Sequence, residues 1–317
     1  MNDLSILIPA RNEVFLKNTV EDILAKREAD TDIIVFLDGE WANPGLVQDD
    51  RVNVIYTNKA IGQRAATNAA CRLSTAKYVM KVDAHCAFDQ GFDRKMIEAF
   101  KVSGDNVTMV PIMRNLWAFD WKCYKCGKRE YQDRIPTCPV CGNPMKRKML
   151  WIGKHNPQST SFCFDAEPKF NYFEDYKHRP EYIEAKKTTG LTETMSLQGS
   201  CFMSTRENYW KLELSDEKLG NWGGQGVEVA GKTWLSGGRV LVNHNTWYAH
   251  LFRTKSNFGF PWPTSGQDQA RTKKRVRDLL WEGKYSQQKL PVSWLVKKFW
   301  PVKGWSQEDL DKLPSSL

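Results

Sequence analysis

Residues 76–86, AKYVMKVDAHC, decide the fold of this chain and point to its chemistry. The apolar run from Tyr78 to Val82 predicts a buried strand, and the polar residues Asp83 and His85 follow it directly. Side chains alternate along an extended segment, so this acid and this imidazole lie on one side and can bind the same divalent ion. Open α/β folds bind ligands at the carboxyl ends of their strands. The stretch therefore predicts metal-assisted chemistry on a phosphate-bearing ligand.

The Asp-x-His pair by itself also fits an ordinary strand end capped by two polar side chains, so the rest of the chain has to separate the two interpretations. In the first third, short apolar runs alternate with segments whose apolar residues recur at helical spacing. Strands are predicted at 5–9, 32–37, 51–56 and 78–82, and helices at 13–27 and 63–73. This order predicts a parallel sheet with helices on its faces. No G-x-G-x-x-G motif follows the first strand, which disfavours an NAD enzyme.

Composition and charge restrict the class of protein. The 317 residues suffice for a large core, and no apolar run approaches the roughly 20 residues that span a bilayer. The first residues lack the pattern of a signal peptide, so we expect a soluble, cytoplasmic protein without a membrane partner. The formal net charge of +9 is uneven, because residues 122–154 and 271–300 each hold nine Lys or Arg against two acids. These segments are either candidate sites for an anionic partner or solvated surfaces.

Two C-x-x-C-G motifs interrupt the middle of the chain. Cys123 and Cys126 form the first, Cys138 and Cys141 form the second, and eleven residues separate the two pairs. Each motif makes a tight turn that directs two thiolates inward, and four such ligands suit a tetrahedral zinc ion. A four-sulfur site is closed to substrate, so we expect structural Zn²⁺ that holds an inserted ribbon over residues 117–150. The alternative is two unrelated reduced pairs.

Four ordered motifs connect the chain to a known family. They are DAHC at 83–86, WGGQGVE at 222–228 followed by Trp234 and Gly237-Gly238, AHLFR at 249–253, and FPWPTSGQDQAR at 260–271. With them the chain resembles the GT-A nucleotide-sugar glycosyltransferases, most closely the catalytic domain of the polypeptide N-acetylgalactosaminyltransferases.

The resemblance implies an α/β GT-A fold with a largely parallel central sheet. It implies a transferase domain over residues 1–285, with a nucleotide-binding half at 1–110 and an acceptor half at 155–260. The ribbon interrupts this domain, and residues 286–317 form a basic, Trp-containing tail. The sequence does not fix the oligomeric state.

The resemblance also implies a metal and donor site. Asp83 and His85, with His250 from the AHLFR motif, would bind Mn²⁺ or Mg²⁺, and Arg253 would contact the diphosphate of a UDP-sugar. The remaining donor contacts implied by matching positions are Asp38 to the uracil or ribose, Pro9 and Ala10 beside it, and Gly199 and Ser200 to the sugar. The loop 258–266 is expected to close over the bound nucleotide and exclude water.

The chain departs from the family at several positions. Gln225 replaces an acid that contacts the donor sugar, so the sugar need not be N-acetylgalactosamine. The family's donor-binding arginine has no aligned match, although Arg64 lies close enough along the chain to substitute. Trp222 is either core packing or a platform beside the sugar and acceptor, where its glycine neighbours permit close approach. Glu228 is either a solvated or capping carboxylate or a general base.

The sequence thus predicts a metal-dependent, retaining glycosyltransferase, a hexosyltransferase or N-acetylhexosaminyltransferase. It would transfer sugar from a UDP-sugar to a hydroxyl, either of a hydroxymethylated base in DNA or of Ser/Thr in a polypeptide. One alternative is an inverting, family 2-like enzyme that acts on a glycan with Glu228 as base. An alternative of another class is a non-catalytic module that binds nucleic acid or protein.

Overall fold

The computed structural model describes residues 2–132, 137–253, 259–263 and 265–316. The elements of the first third are β1 Leu4–Ala10, α1 Leu16–Lys26, β2 Thr31–Asp38, β3 Val52–Thr57, α2 Gln63–Leu73, β4 Tyr78–Val82, β5 Cys86–Phe88 and α3 Phe92–Ser103. The middle contains β6 Val107–Cys123, β7 Arg129–Tyr131, β8 Met145–Lys154, β9 Phe162–Phe164, β10 Phe170–Tyr172 and α4 Pro180–Thr188. The last part contains β11 Leu191–Glu193, β12 Cys201–Thr205, α5 Arg206–Lys211, α6 Gln225–Leu235, β13 Arg239–His250, α7 Gly266–Trp281, α8 Val292–Lys298 and α9 Gln307–Asp311.

The central sheet has the strand order β11-β13-β6-β12-β4-β1-β2-β3. Strands β3, β2, β1 and β4 are parallel neighbours, and β13 is parallel to β6. Strand β12 runs antiparallel between β4 and β6. The sheet is therefore mixed but mostly parallel, which confirms the predicted α/β class.

Apolar residues of the parallel strands face both sides of the sheet. In β1, Leu7 enters one apolar cluster and its neighbours Ile6 and Ile8 enter the other. Because both faces are covered, these strands are nearly continuous apolar runs, as is usual for parallel sheets. Helix α2 packs against β1 and β2 through small side chains such as Ala66 and Ala70, which allow close approach.

Two strands are unusually long, and the sequence predicts no strand at the position of the first. Strand β6 leaves the central sheet and continues into the ribbon, where it pairs with β7 and β8. The apolar residues at 239–242 predict a short strand, and β13 continues past them to His250, with an irregularity between Asn243 and Trp247. Polar residues interrupt the apolar run of β13 there, which explains why its second half was not predicted. Helix α4 was also missed, because residues 158–190 show no sustained period.

The segment 286–317 packs against the rest of the fold. Leu295, Val296 and Phe299 are buried in the same cluster as Leu7. The indole of Trp305 donates a hydrogen bond to the Phe164 carbonyl at 2.8 Å. The sequence predicts a separate basic tail here because the lysines of the segment hide its short apolar pattern.

Within the described ranges, no helix combines the length and the apolar character that crossing a bilayer requires.

Candidate active site

Three predicted metal ligands meet where β4 and β13 end. Asp83 and His85 follow β4, and β5 pairs with the end of β13 so that Cys86 lies opposite His250. The Nε2 atoms of His85 and His250 are 3.1 Å apart, and His250 Nε2 lies 3.2 Å from Asp83 Oδ2. One ligand atom from each residue lies within 4.8 Å of the others. A carboxylate and two imidazoles this close fit one divalent ion.

The protonation states of His250 and Asp83 favour metal binding. Burial lowers the pKa of His250 to about 4, so its imidazole is neutral and has a lone pair for a ligand bond at pH 7. Burial alone would raise the pKa of Asp83, but the Lys81 ammonium and the His250 hydrogen bond outweigh it and hold that pKa well below its ordinary value. Asp83 is therefore an ionised carboxylate.

Glu13 is a functional residue that the sequence analysis missed. Its Oε1 lies 3.4 Å from His85 Nδ1, and its Oε2 accepts a hydrogen bond from Arg253 Nη2 at 2.6 Å. A carboxylate behind a histidine fixes the ring so that the other nitrogen faces the metal. The sequence does hold one indication of this role, because Glu13 follows β1 at the same edge of the sheet as Asp83. Arg253 is bound to Glu13, and its contact with a diphosphate remains a prediction.

Lys81 was also missed, because a lysine inside an apolar strand carries no motif. Its side chain is fully buried, and its Nζ contacts Asp83 Oδ1 and the Gly199 carbonyl, the latter at 2.7 Å. The Ser200 carbonyl accepts a hydrogen bond from the Asp83 backbone N–H at 2.8 Å. Gly199 and Ser200 therefore lie beside the metal triad, outside the lining of the cavity described next.

A cavity of about 360 Å³ opens next to the triad, a size typical of small-molecule sites. Of the predicted residues, it is lined by Pro9, Ala10, Asp38, Asp83, His85 and Trp222. Arg11, Arg271 and Arg275 also line it and were not predicted as donor contacts. Three guanidinium groups around one cavity suit an anionic ligand such as a diphosphate.

Asp38 shapes the floor of this cavity. Its two oxygens accept hydrogen bonds from the backbone N–H groups of Ile61, at 2.6 Å, and Gly62, at 3.0 Å. Gly62 has φ +94°, and a Cβ there would come within 2.9 Å of Asn221. This position therefore requires glycine, and the turn that Asp38 holds sets the start of α2.

Arg64 and Glu228 are buried and do not line the cavity, which argues against Arg64 as a donor contact and against Glu228 as a general base. The Arg64 side chain is 1% exposed and that of Glu228 is 0% exposed, and Nη2 lies 2.7 Å from Oε2. Arg64 also donates to the carbonyls of Gly220 and Gly223. Glu228 Oε1 accepts from the backbone N–H of Asp216 at 2.9 Å. The Arg64 guanidinium therefore binds the backbone around the WGG segment. The Glu228 carboxylate is buried and does not face an acceptor.

Gln225 is also buried rather than in the cavity lining. It is 5% exposed, and its Nε2 donates to Ser215 Oγ at 3.2 Å. Its neighbour Gly226 packs so tightly that a Cβ would lie 2.0 Å from the Leu197 carbonyl. Gln225 therefore lies behind the Gly199 segment, and its predicted contact with the sugar remains a prediction.

Trp222 belongs to an aromatic cluster at the mouth of the cavity. Its ring centroid lies 5.6 Å from that of Phe260 and 6.4 Å from that of Trp262. Trp222 and Trp262 both line the cavity. Phe258 and Thr264 of the predicted closing loop lie outside the described residues, and closure of that loop stays a prediction.

The four cysteines of the ribbon come together at a second site. The Sγ atoms of Cys123 and Cys141 are 3.5 Å apart, as are those of Cys126 and Cys138. A tetrahedral zinc site requires about 3.8 Å, from Zn–S bonds of about 2.3 Å. Both motifs make the same turn, in which the N–H of the following glycine donates to the carbonyl of the first cysteine. The donor set fits one zinc ion.

The architecture and the site define the class of the chain. Residues 5–150 match the model of glycosyl transferase family 2. The fold is similar to that of GalNAc-T7, which was solved with UDP, GalNAc and Mn²⁺. The TM-score is 0.62 at 16% identity, and the match covers 98% of this chain and 53% of that chain. This likeness confirms the predicted GT-A fold.

Sequence comparison gives the nearer relationship. The chain is 21% identical over 277 residues to a putative polypeptide N-acetylgalactosaminyltransferase 13 of Drosophila melanogaster, covering 82% of this chain and 43% of the relative. It is 22% identical over 236 residues to polypeptide N-acetylgalactosaminyltransferase 3 of Homo sapiens, and that match covers 74% of this chain and 32% of the relative. The chain is a homologue of these transferases, as the sequence analysis predicted. It spans less than half the length of these relatives.

Proposed function

We propose that the chain is a metal-dependent glycosyltransferase that moves a sugar from a UDP-sugar to a hydroxyl acceptor. The observation that carries this proposal is the Asp83, His85 and His250 triad at the edge of a cavity lined by arginines. The match to the family 2 model supports it, as does the similarity to GalNAc-T7, which binds UDP and Mn²⁺ in its crystal structure.

The residues of the chain have separable tasks in this reaction. Asp83, His85 and His250 would hold the ion, which when bound supplies positive charge that stabilises a departing diphosphate. Arg11, Arg271 and Arg275 place further positive charge around the same cavity, where the donor phosphates bind. Trp222 and Trp262 cover the mouth and reduce the access of water that would hydrolyse the donor.

We propose retention of configuration at the transferred sugar. An inverting enzyme needs a free base to activate the acceptor hydroxyl. Among the described residues that line the cavity, each carboxylate already has a partner. Glu13 binds Arg253, Asp38 binds two backbone N–H groups, Asp83 binds Lys81, and Asp268 binds Arg271. The burial of Glu228 also disfavours the inverting alternative.

A structural zinc ion in the ribbon completes the proposed cofactors. The four free cysteines support this, and reduced thiolates of this kind suit a reducing compartment such as the cytoplasm.

Two acceptors are proposed, each on its own observation. Ser or Thr of a polypeptide is supported by the polypeptide transferases among the relatives. A hydroxymethylated base in DNA is supported by the basic surface of the ribbon, which is described below. Both offer a hydroxyl that the same donor chemistry can use.

Product mass after incubation tests the function and separates the acceptors. The protein would be incubated with Mn²⁺ and a panel of UDP-sugars, together with Ser/Thr peptides or hydroxymethylated DNA. We expect one acceptor to gain the mass of one sugar, with the donor's anomeric configuration retained in its NMR coupling constant. The absence of turnover with every donor would instead favour a non-catalytic binding module.

A further inference from the structure

One face of the ribbon is exposed and carries basic residues. The register pairs Lys122 with Lys146 and with Arg129, and it pairs Asp120 with Lys148. Directly paired residues lie on the same side of a sheet, and side chains two apart along a strand do as well. These residues therefore share one face, with four cations and one acid, and the acid is paired with Arg129.

The opposite face of the ribbon is occupied. Phe119 and Trp121 lie on it beneath the Arg147 guanidinium, and Phe119 stacks on Phe15 in a buried cluster. Cys123 also belongs to this side, so the cysteine cluster lies behind the sheet. The basic face carries the exposed side chains of Arg129, Lys146 and Lys148, and we take it as the face that receives a partner.

Exposed aromatic rings lie among these cations. Trp117 and Tyr131 are 37% and 44% exposed, and their ring centroids are 4.7 Å apart. Lys154 Nζ lies 5.0 Å from the Trp117 ring. The alternation of β6 starts Trp117 on the side of Phe119, and its ring meets the basic residues through its contact with Tyr131, which lies opposite Asp120. We call Trp117, Lys122, Arg129, Tyr131, Lys146, Lys148 and Lys154 the ribbon face.

The ribbon face begins close to the metal triad. Strands β6 and β13 pair so that Asn115 lies opposite His250. Trp117 is two residues further along β6, or about 7 Å at the rise of a β-strand. A chain bound along the ribbon face would therefore run toward the active site.

We propose that the ribbon face binds a single-stranded nucleic acid. Its lysines would contact phosphates, and Trp117 with Tyr131 would stack on unpaired bases. Interleaved cations and exposed aromatic rings are the combination that sequence-tolerant single-strand binding uses. An acidic polypeptide would use the cations but would gain nothing specific from the rings. The inference does not depend on the proposed transfer reaction, because binding requires neither donor nor Mn²⁺.

Fluorescence anisotropy with a labelled single-stranded oligonucleotide of about 20 nucleotides tests this inference. K146E/K148E should weaken binding at least tenfold and should flatten the slope of log K against log salt by roughly 1.4, since each lost phosphate contact contributes about 0.7. The control K186E/K187E carries the same charge change on exposed lysines of α4 and should bind like the wild type. Zinc content and melting temperature would verify that each variant is folded.

A second pair of variants tests the stacking. W117L should weaken binding about fivefold or more with the salt slope unchanged, and W117F should stay near the wild type because it retains an aromatic ring. Equal losses in both lysine variants would overturn the inference. The inference would also be overturned if W117L bound the oligonucleotide as tightly as the wild type does. It would likewise fail if the wild type bound duplex DNA or poly-glutamate as tightly as the single-stranded oligonucleotide.

Discussion

Lys81 places a buried ammonium against a metal ligand. Its Nζ contacts Asp83 Oδ1 and the Gly199 carbonyl, and its side chain is fully buried. A cation at this distance keeps the carboxylate ionised, but it also competes with a metal ion for the same oxygen. Lys81 therefore holds the Asp83 carboxylate in place, and we expect its charge to lower the affinity of the triad for a metal ion.

Removal of this charge should tighten metal binding. For K81M we expect Mn²⁺ affinity to rise roughly tenfold, because the repulsion between ammonium and ion disappears while the side-chain volume is kept. Electron paramagnetic resonance of free Mn²⁺ measures this without any turnover. K101M, on an exposed lysine of α3, is the matched control. Unchanged or weaker binding in K81M would contradict this account of Lys81.

Glu13 acts on the metal through His85, so its loss should also appear in metal affinity. E13Q keeps the shape but removes the charge that orients the His85 ring and binds Arg253. Losses of such supporting carboxylates cost about 10–100-fold in metal affinity, and we expect a decrease in that range. The control is E21Q, on an exposed glutamate of α1. If the Mn²⁺ titrations of E13Q and E21Q coincide, Glu13 does not position His85.

At the scale of elements, the Arg64–Glu228 pair fastens α2 to α6 and to the segment that carries Trp222. Both side chains are buried, and removal of one partner leaves the other charge uncompensated. We expect E228Q to lower the free energy of unfolding by about 3 kcal/mol or more, as measured by urea denaturation. Folded E228Q should keep most of its turnover. Full stability with abolished turnover would reinstate Glu228 as a catalytic base.

We expect the cysteine end of the ribbon to depend on its metal, since the cluster that its described residues form there consists of Cys123, Cys138 and Met145. C138S should lose the bound zinc and become sensitive to protease within the ribbon, because a small domain folds with its metal. C71S, at a buried cysteine of α2, should keep one zinc per chain. Limited proteolysis with mass spectrometry and metal analysis checks both. A ribbon that resists protease without zinc would show that the metal is dispensable.

At the scale of the whole molecule, the sequence predicts what depends on local periodicity. The bounds of α2 and β4 agree with the prediction, because apolar spacing and the flanking polar residues define them. The position of His250 beside His85, 165 residues away in sequence, was available only through the matched AHLFR motif.

Periodicity could not supply contacts that depend on tertiary packing. The Arg64–Glu228 pair is closed by a long-range approach of two helices, so Arg64 looked available as a donor contact when it is already bound. The same holds for the C-terminal segment, whose Trp305 packs against residues from the middle of the chain. Lys81 and Glu13 gain their importance from neighbours that no local pattern reveals.

In the proposed reaction, sugar transfer depends on a divalent ion that Asp83, His85 and His250 hold. This dependence is tested by measuring the release of UDP from a UDP-sugar while Mn²⁺ is titrated. The proteins compared are the wild type, H250A and the control H178A, which changes an exposed histidine outside the cavity lining. We expect saturable Mn²⁺-dependent release in the wild type and H178A, and a loss of at least a hundredfold in folded H250A. Release that persists in H250A, or that does not depend on the metal, would contradict the proposed reaction.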